Sequence, residues 1–308
     1  MNKFDLNLPD FCSGLPLYTV LLSLKEKHPE IFYEDVDIAA IFGCFSGSIW
    51  NGGSLIIGKN NTGNEIKNLI YFYNYEHGVP LRFTFTNPHI TEKECYDTYS
   101  NLIAQHGHNG MNEILVVSPV LEEYLRTEYP NYRYCRSIIG THEQEYFAEA
   151  KYHMTVMRRR KNNDWDFLDK IPNVERHKIE FLCNDPCPDD CPRIYSHYRD
   201  YGYATLKQEN TERCNCTSNS GKNFFVNHHL RSLETYISRE SIVNDYLPRG
   251  YKHFKISGRG NPGMMIEFIV EYMIKPEYQA DVRVFMINAY TRENGLELFE
   301  NKSFVQMR

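Results

Sequence analysis

Apolar and aromatic runs of six to eight residues alternate along most of the chain with amphipathic stretches of helical period. The runs predict strands at Ile38–Cys44, Leu81–Asn87, Glu113–Ser118, Tyr132–Ile139, His153–Arg158, His177–Asn184 and Tyr251–Ser257. The stretches between them predict helices at Glu65–Tyr75, Glu92–His106, Pro119–Tyr129 and His142–Ala150. Several boundaries have a local cause. Thr91 precedes Glu92, Lys93 and Glu94, so a hydroxyl is expected to cap free amides while carboxylates meet the positive helix end. Asn87-Pro88 closes a strand, because proline has no N–H for the ladder and forces its predecessor to be extended. Gly78 and Gly107 follow helical patterns, where a left-handed residue is usual.

Strand and helix in this alternation imply parallel pairing through right-handed crossovers. A doubly wound open sheet would carry a glycine-rich phosphate loop after its first strand, and none is present. The expectation is therefore an α/β fold of the TIM-like (β/α) barrel type. Only seven strands can be counted against the eight that close a barrel, so the expected barrel is distorted or incomplete. Residues 1–36 read as an N-terminal extension with helix around Leu17–Lys27. Residues 37–308 read as one barrel domain with a cysteine-rich segment at 183–224.

Composition narrows the class. The chain is 42% hydrophobic and 24% charged over 308 residues, enough apolar surface for a core and too much for disorder. A formal net charge of −6 argues against a duplex-binding protein. The run Arg158-Arg159-Arg160-Lys161 is a potential phosphate contact, but four charges at a strand end more often form a solvated loop. Tyrosine is abundant, at 23 residues, yet dispersed, so it is read as composition rather than as a stacking platform. Met1-Asn2-Lys3-Phe4-Asp5 lacks the basic start and apolar run of a signal peptide, and no stretch approaches the ~20 apolar residues of a membrane span. A cytoplasmic protein is expected.

Nine cysteines are present, five of them between Cys183 and Cys216. In a reducing compartment, clustered thiols point to metal rather than to disulfides. The segment runs Cys183-Asn184-Asp185-Pro186-Cys187 and on to Cys191-Pro192-Arg193, with Cys214 and Cys216 downstream. Asn184 to about Phe224 is rich in Cys, Pro, Asp, Asn and Ser, and a long irregular stretch inside a compact domain is usually functional. Proline after a ligating cysteine is familiar from iron–sulfur sequences. Zinc remains open on spacing alone, and the three-and-three gaps miss the three-then-two pattern of radical-SAM enzymes. The favoured ligands are Cys187, Cys191, Cys214 and Cys216. Cys183 stands in reserve, although a buried thiol fits its strand position better, and Cys44 is read as a packed thiol ahead of a distant ligand.

In this segment the chain resembles the collagenase-like peptidase family, numbered U-thirty-two among peptidases. Ile179-Glu180-Phe181-Leu182, Asn184, Cys187, Cys191-Pro192, Arg193 and His197-Tyr198 carry the likeness, with Phe254-Lys255-Ile256-Ser257-Gly258-Arg259 as a second element. Weaker echoes run through Gly78-Val79-Pro80, Glu113 to Pro119 and Asp166-Phe167-Leu168, so the resemblance spans roughly residues 37–260. It departs at Phe45-Ser46-Gly47-Ser48-Ile49-Trp50, where the alanine-rich, glycine-led opening of better-known members is missing. The resemblance implies a barrel carrying a 4Fe-4S cluster. Characterised relatives modify RNA or quinone precursors by oxygen-independent hydroxylation, some with prephenate as oxygen donor.

Beside the cysteines, Lys255 and Arg259 would share one strand face and suit a carboxylate or phosphate, with a structural ion pair as the alternative. Arg193 and His197 are spaced to face one pocket from a helix, with His197 as proton donor or as a hydrogen-bonded core histidine. His228-His229 has no ligand-type neighbour at useful spacing. The leading expectation is a redox or hydroxylating enzyme acting on a small anionic substrate or on RNA. A noncatalytic iron–sulfur or zinc scaffold for a partner enzyme is the alternative. A peptidase ranks last, since no protease motif such as H-E-x-x-H is present.

Overall fold

The computed structural model describes residues 3–54, 58–140, 150–187, 191, 193–209 and 228–293. Eight parallel strands pair in chain order and close on themselves: β1 Phe4–Pro9, β2 Val36–Gly43, β3 Leu81–Phe85, β4 Glu113–Val116, β5 Arg133–Arg136, β6 Met154–Val156, β7 Ile179–Leu182 and β8 His253–Lys255. Around them lie α1 Leu15–Lys27, α2 Gly63–Tyr71, α3 Thr98–Gly107, α4 Pro119–Glu128, the short α5 Trp165–Leu168 and α6 Asn173–Arg176, then α7 Ile194–Lys207, a single turn α8 Arg239–Ser241, α9 Pro262–Met273 and α10 Gln279–Glu293. Among the described residues, no helix is long and apolar enough to cross a membrane.

All seven expected strands are present, and the barrel is closed rather than incomplete. The eighth strand lies where an N-terminal extension was expected. Phe4-Asp5-Leu6-Asn7-Leu8-Pro9 pairs with β2 on one side and with β8 on the other, Leu6 standing opposite both Ile38 and Phe254. The stretch 1–36 thus contains the first β/α unit of the barrel, not an appendage. Its alternation has period two, but the polar face turns to the barrel interior: Asp5 stands at the rim, partly exposed, and Asn7 lies inside. Asn7 is fully buried and donates to Glu180 Oε2 at 2.8 Å.

The same inversion recurs around the sheet, because successive side chains point to opposite faces. In β3, Phe83 and Phe85 join the large core between sheet and helices, while Arg82 and Thr84 point inward. In β7 the outward pair is Ile179 and Phe181, and Glu180 is inside. A small apolar cluster of Leu115, Cys135, Met154 and Val156 occupies part of the interior. Charge fills much of the remainder: Arg82 Nε donates to Glu113 Oε2 at 2.6 Å and Arg82 Nη1 donates to Glu180. Paired in this way, the ions avoid the heavy desolvation cost of isolated buried charge.

The expected Thr91 cap is not made: its hydroxyl donates to the Glu94 carboxylate, and the helix starts are capped elsewhere. Thr62 and Glu65 form a reciprocal capping box ahead of α2. The stretch Glu92–His106 is divided: a 3-10 turn at Glu94–Tyr96 precedes Asp97, whose Oδ2 accepts from Ser100 N at 2.7 Å and opens α3. Gly78 has the expected left-handed backbone, at φ +65°. Gly107 does not; a Cβ there would lie 2.4 Å from the Tyr132 hydroxyl and 2.5 Å from Phe83, so close packing requires glycine. The irregular stretch after Asn184 contains the fourteen-residue α7. The expected helix at His142–Ala150 lies outside the described residues except for Ala150.

Candidate active site at the mouth of the barrel

A cavity of about 350 Å³ opens at the carboxyl ends of the strands, where βα loops assemble the sites of barrel enzymes. Lys255 and Arg259 reach it from the β8 end, Cys187 and Asp185 from the loop after β7, and His197 and Tyr198 from α7. Four residues singled out from the sequence therefore share one cavity wall.

Lys255 is buried on the floor. Its Nζ lies 3.9 Å above the Phe42 ring and 4.0 Å from Glu180 Oε1. Glu180 is already held by Arg82 and Asn7, so the lysine is a loose third partner rather than half of a tight pair. Burial pushes the ammonium down to about 8, with Glu180 acting in the opposite direction.

Arg259 does not continue the strand face as expected. β8 ends at Lys255, and the chain bends through Gly258 at φ +142°. The guanidinium reaches the cavity by that bend. Its Nη1 donates to Thr84 Oγ1 at 2.7 Å and to Asn51 Oδ1 at 3.1 Å, and its Nη2 donates to the Gly52 carbonyl at 2.9 Å. Of its five N–H groups, Nε–H and one on Nη2 make no hydrogen bond among the described residues. Gly52 is where the loop after β2 crosses the end of β3: a Cβ there would meet the Thr86 carbonyl oxygen at 2.2 Å.

The loops that carry these groups are tied together. Asn184 Oδ1 accepts from Ser257 N at 2.7 Å and Ser257 Oγ donates to the Asn184 carbonyl at 2.9 Å, joining the β7 and β8 loops. Asp10, after β1, accepts from Gly260 N at 3.0 Å.

Cys187 is half-buried in the cavity wall, its backbone N–H donating to Asp185 Oδ1 at 3.0 Å. Burial pushes its thiol up to about 12, Asp185 adds to the effect, and the Arg159 guanidinium, hydrogen-bonded to the sulfur, opposes it. The buried Cys191 is near enough to contribute to the same shift. Cys214 and Cys216 lie outside the described residues, and among the described residues no group of three or more His, Cys, Asp and Glu gathers as a metal set. Cys183 is fully buried in the core with its sulfur 3.8 Å from the Phe181 carbonyl, a packed thiol. Cys44 is likewise buried in the core, and burial lifts its thiol to about 11.

Arg193 and His197 do not share the pocket. Arg193 is the exposed residue before α7, engaged through its carbonyl, which accepts from His197 N at 2.9 Å. His197 is buried, lines the cavity, and has an Nε2 with no hydrogen-bond partner among the described residues. Burial holds its imidazole below the ordinary value, and the Arg193 charge adds to this. The side chains of His228 and His229 lie outside the described residues.

Sequence reasoning missed Arg159 and Asp185. Arg159 was read within a solvated basic run, yet it is buried and stands 3.4 Å from Asp185 Oδ1. The Asp185-Pro186 step between two cysteines was the available signal for an ionic brace in this loop. No protein-family model, curated protein or solved structure matches the chain.

Proposed function

We propose that the barrel mouth is the active site of an iron–sulfur redox enzyme, of the oxygen-independent hydroxylase kind, acting on a small anionic substrate. The observation that carries this reading is the sharing of one cavity by Cys187, His197, Lys255 and Arg259. Two thiols support a cluster here: Cys187 faces the cavity and Cys191 is close by, and both precede in sequence the segment containing Cys214 and Cys216. Those four thiolates would hold the 4Fe-4S group, which supplies one-electron chemistry when bound. Arg159, bonded to the Cys187 sulfur, is placed to tune that ligand, since hydrogen bonds to sulfur raise a cluster's potential.

Lys255 and the undonated edge of Arg259 supply positive charge to a carboxylate, and prephenate, with two carboxylates, is the anion we favour as oxygen donor. The hydroxyls of Thr84 and Ser257 fix the shape of that corner rather than its charge. His197 Nε2, buried and unpartnered among the described residues, is the group suited to hand a proton to or take one from a bound molecule.

Anaerobic purification followed by iron and sulfide assay tests the reading. About four irons and four sulfides per chain are expected. Cys187→Ala and Cys191→Ala should each lose the iron, whereas Cys44→Ala and Cys183→Ala should keep it. Stoichiometric zinc without iron would overturn the redox assignment.

A further inference from the structure

The opposite end of the barrel carries a second, open concavity of about 530 Å³, and its polar lining is almost wholly basic: Lys151, His153, His177, Lys178, Lys252 and His253. Three consecutive strands begin there, each with its own lysine and histidine. Lys151-Tyr152-His153 leads into β6, His177-Lys178 into β7, and Lys252-His253 into β8. Neighbouring strands lie about 4.8 Å apart, so closure of the barrel gathers these three pairs over a hollow roughly 10 Å across.

Among the described residues, no carboxylate lines the hollow. The nearest described ones stand at its rim, against Lys151, His153 and His253. Glu122 accepts from Arg126 at 2.9 Å and from the Tyr152 hydroxyl at 2.7 Å, with Lys151 at 3.4 Å. Glu113 binds Arg82 and Arg133 and stands 3.6 Å from His153 Nε2, while Asp5 Oδ2 lies 3.1 Å from His253 Nδ1. Lys178 and Lys252 make no ion pair among the described residues. Lys178 and Lys252, which have no counter-charge among the described residues, repel one another until an anion joins them, in a chain whose net charge is −6. The charges sit over one compact hollow rather than along a stripe, which suits a short phosphate chain better than an extended nucleic-acid backbone.

We propose that this amino-terminal face of the barrel is a binding site for an oligophosphate, held chiefly by Lys178 and Lys252 with Lys151 and the three histidines around it. The phosphate chain is the recognised group, whether free or carried by a nucleotide.

Calorimetric titration of the full chain with tripolyphosphate, and separately with ATP, tests this. Tripolyphosphate should bind, weaken about fivefold or more between 50 and 200 mM salt, and lose about tenfold or more in affinity in Lys178→Gln/Lys252→Gln. Lys252→Glu, on an exposed side chain, serves as a second variant and should weaken binding at least as much as one glutamine. Equal affinities for ATP and tripolyphosphate would support the free chain, and tighter ATP a nucleotide. Undetectable binding, or binding indifferent to both variants, overturns the site. A single-stranded RNA that binds more than tenfold tighter than tripolyphosphate overturns the small-ligand assignment. Iron content of these variants should stay at the parent level, so failure here is separable from failure of the barrel-mouth reading.

Discussion

Asp10 Oδ2 accepts a hydrogen bond from the backbone N–H of Gly260 at 3.0 Å, so the residue after the first strand holds the loop that follows the last. The other carboxylate oxygen accepts from Ser13 N at 3.0 Å, and the residue itself sits at φ +62°. Asn tolerates that backbone but presents one acceptor oxygen, so Asp10→Asn should cost about 1 kcal/mol. Asp10→Ala loses both bonds in a conformation alanine resists, and should cost about 2–4 kcal/mol. Urea denaturation ranks the two; equal losses would remove the clamp from consideration.

Glu180 is the hub of the barrel interior, accepting from Asn7 and Arg82 with Lys255 nearby. Glu180→Ala leaves buried cations with half their counter-charge, and a loss of about 3–5 kcal/mol is expected. Glu180→Gln, which retains one acceptor, should lose less. Denaturation midpoints that match the parent for both variants would contradict the network.

Lys255 is expected to make stability, and the proposed anion binding, depend on alkali. Its ammonium titrates at about 8 in the folded chain against an ordinary 10.5. Between those values the unfolded chain binds a proton that the folded chain has released, so this group makes stability rise with pH there, by up to roughly 3 kcal/mol. Below about 8 both states are protonated and the cost of burying the charge is fully present. Anion affinity runs the other way, falling up to about tenfold per unit above pH 8. Lys255→Met should abolish both slopes, as followed by denaturation and prephenate titration across pH 7–10.

Gly52→Ala addresses the Arg259 corner. The added methyl would press on the backbone of Thr86 and Asn87, with contacts of 2.2 to 2.7 Å, so the loop must move. A loss of about 1–3 kcal/mol is expected. Anion binding should weaken in step, because the displaced carbonyl no longer fixes Arg259. Unchanged affinity would show that the arginine needs no such support.

The barrel was legible wherever a strand is apolar on both faces, as parallel strands usually are. Ile114-Leu115-Val116 is an example. It was illegible at β1, where Asp5 and Asn7 imitate a solvent-facing strand edge although Asn7 is wholly enclosed. Cys187 was singled out by the clustering of cysteines, and His197, Lys255 and Arg259 by lying in the two segments that carry the family resemblance. Arg193 was misplaced because helical spacing of four fixes a shared face only within a helix, and Arg193 precedes the first turn of α7. Asp10 gave no signal at all. Its role arises from the meeting of residues 250 positions apart, which no local pattern encodes.

The seam between β1 and β8 also governs assembly. Residues 4–9 can pair with β2 as soon as residues 36–42 have been synthesised, but their other flank has no neighbour until residues 253–255 leave the ribosome. For most of its translation the nascent chain therefore displays an unpaired strand edge. The polar side chains of Asp5 and Asn7 on that strand discourage foreign chains from docking there during the wait.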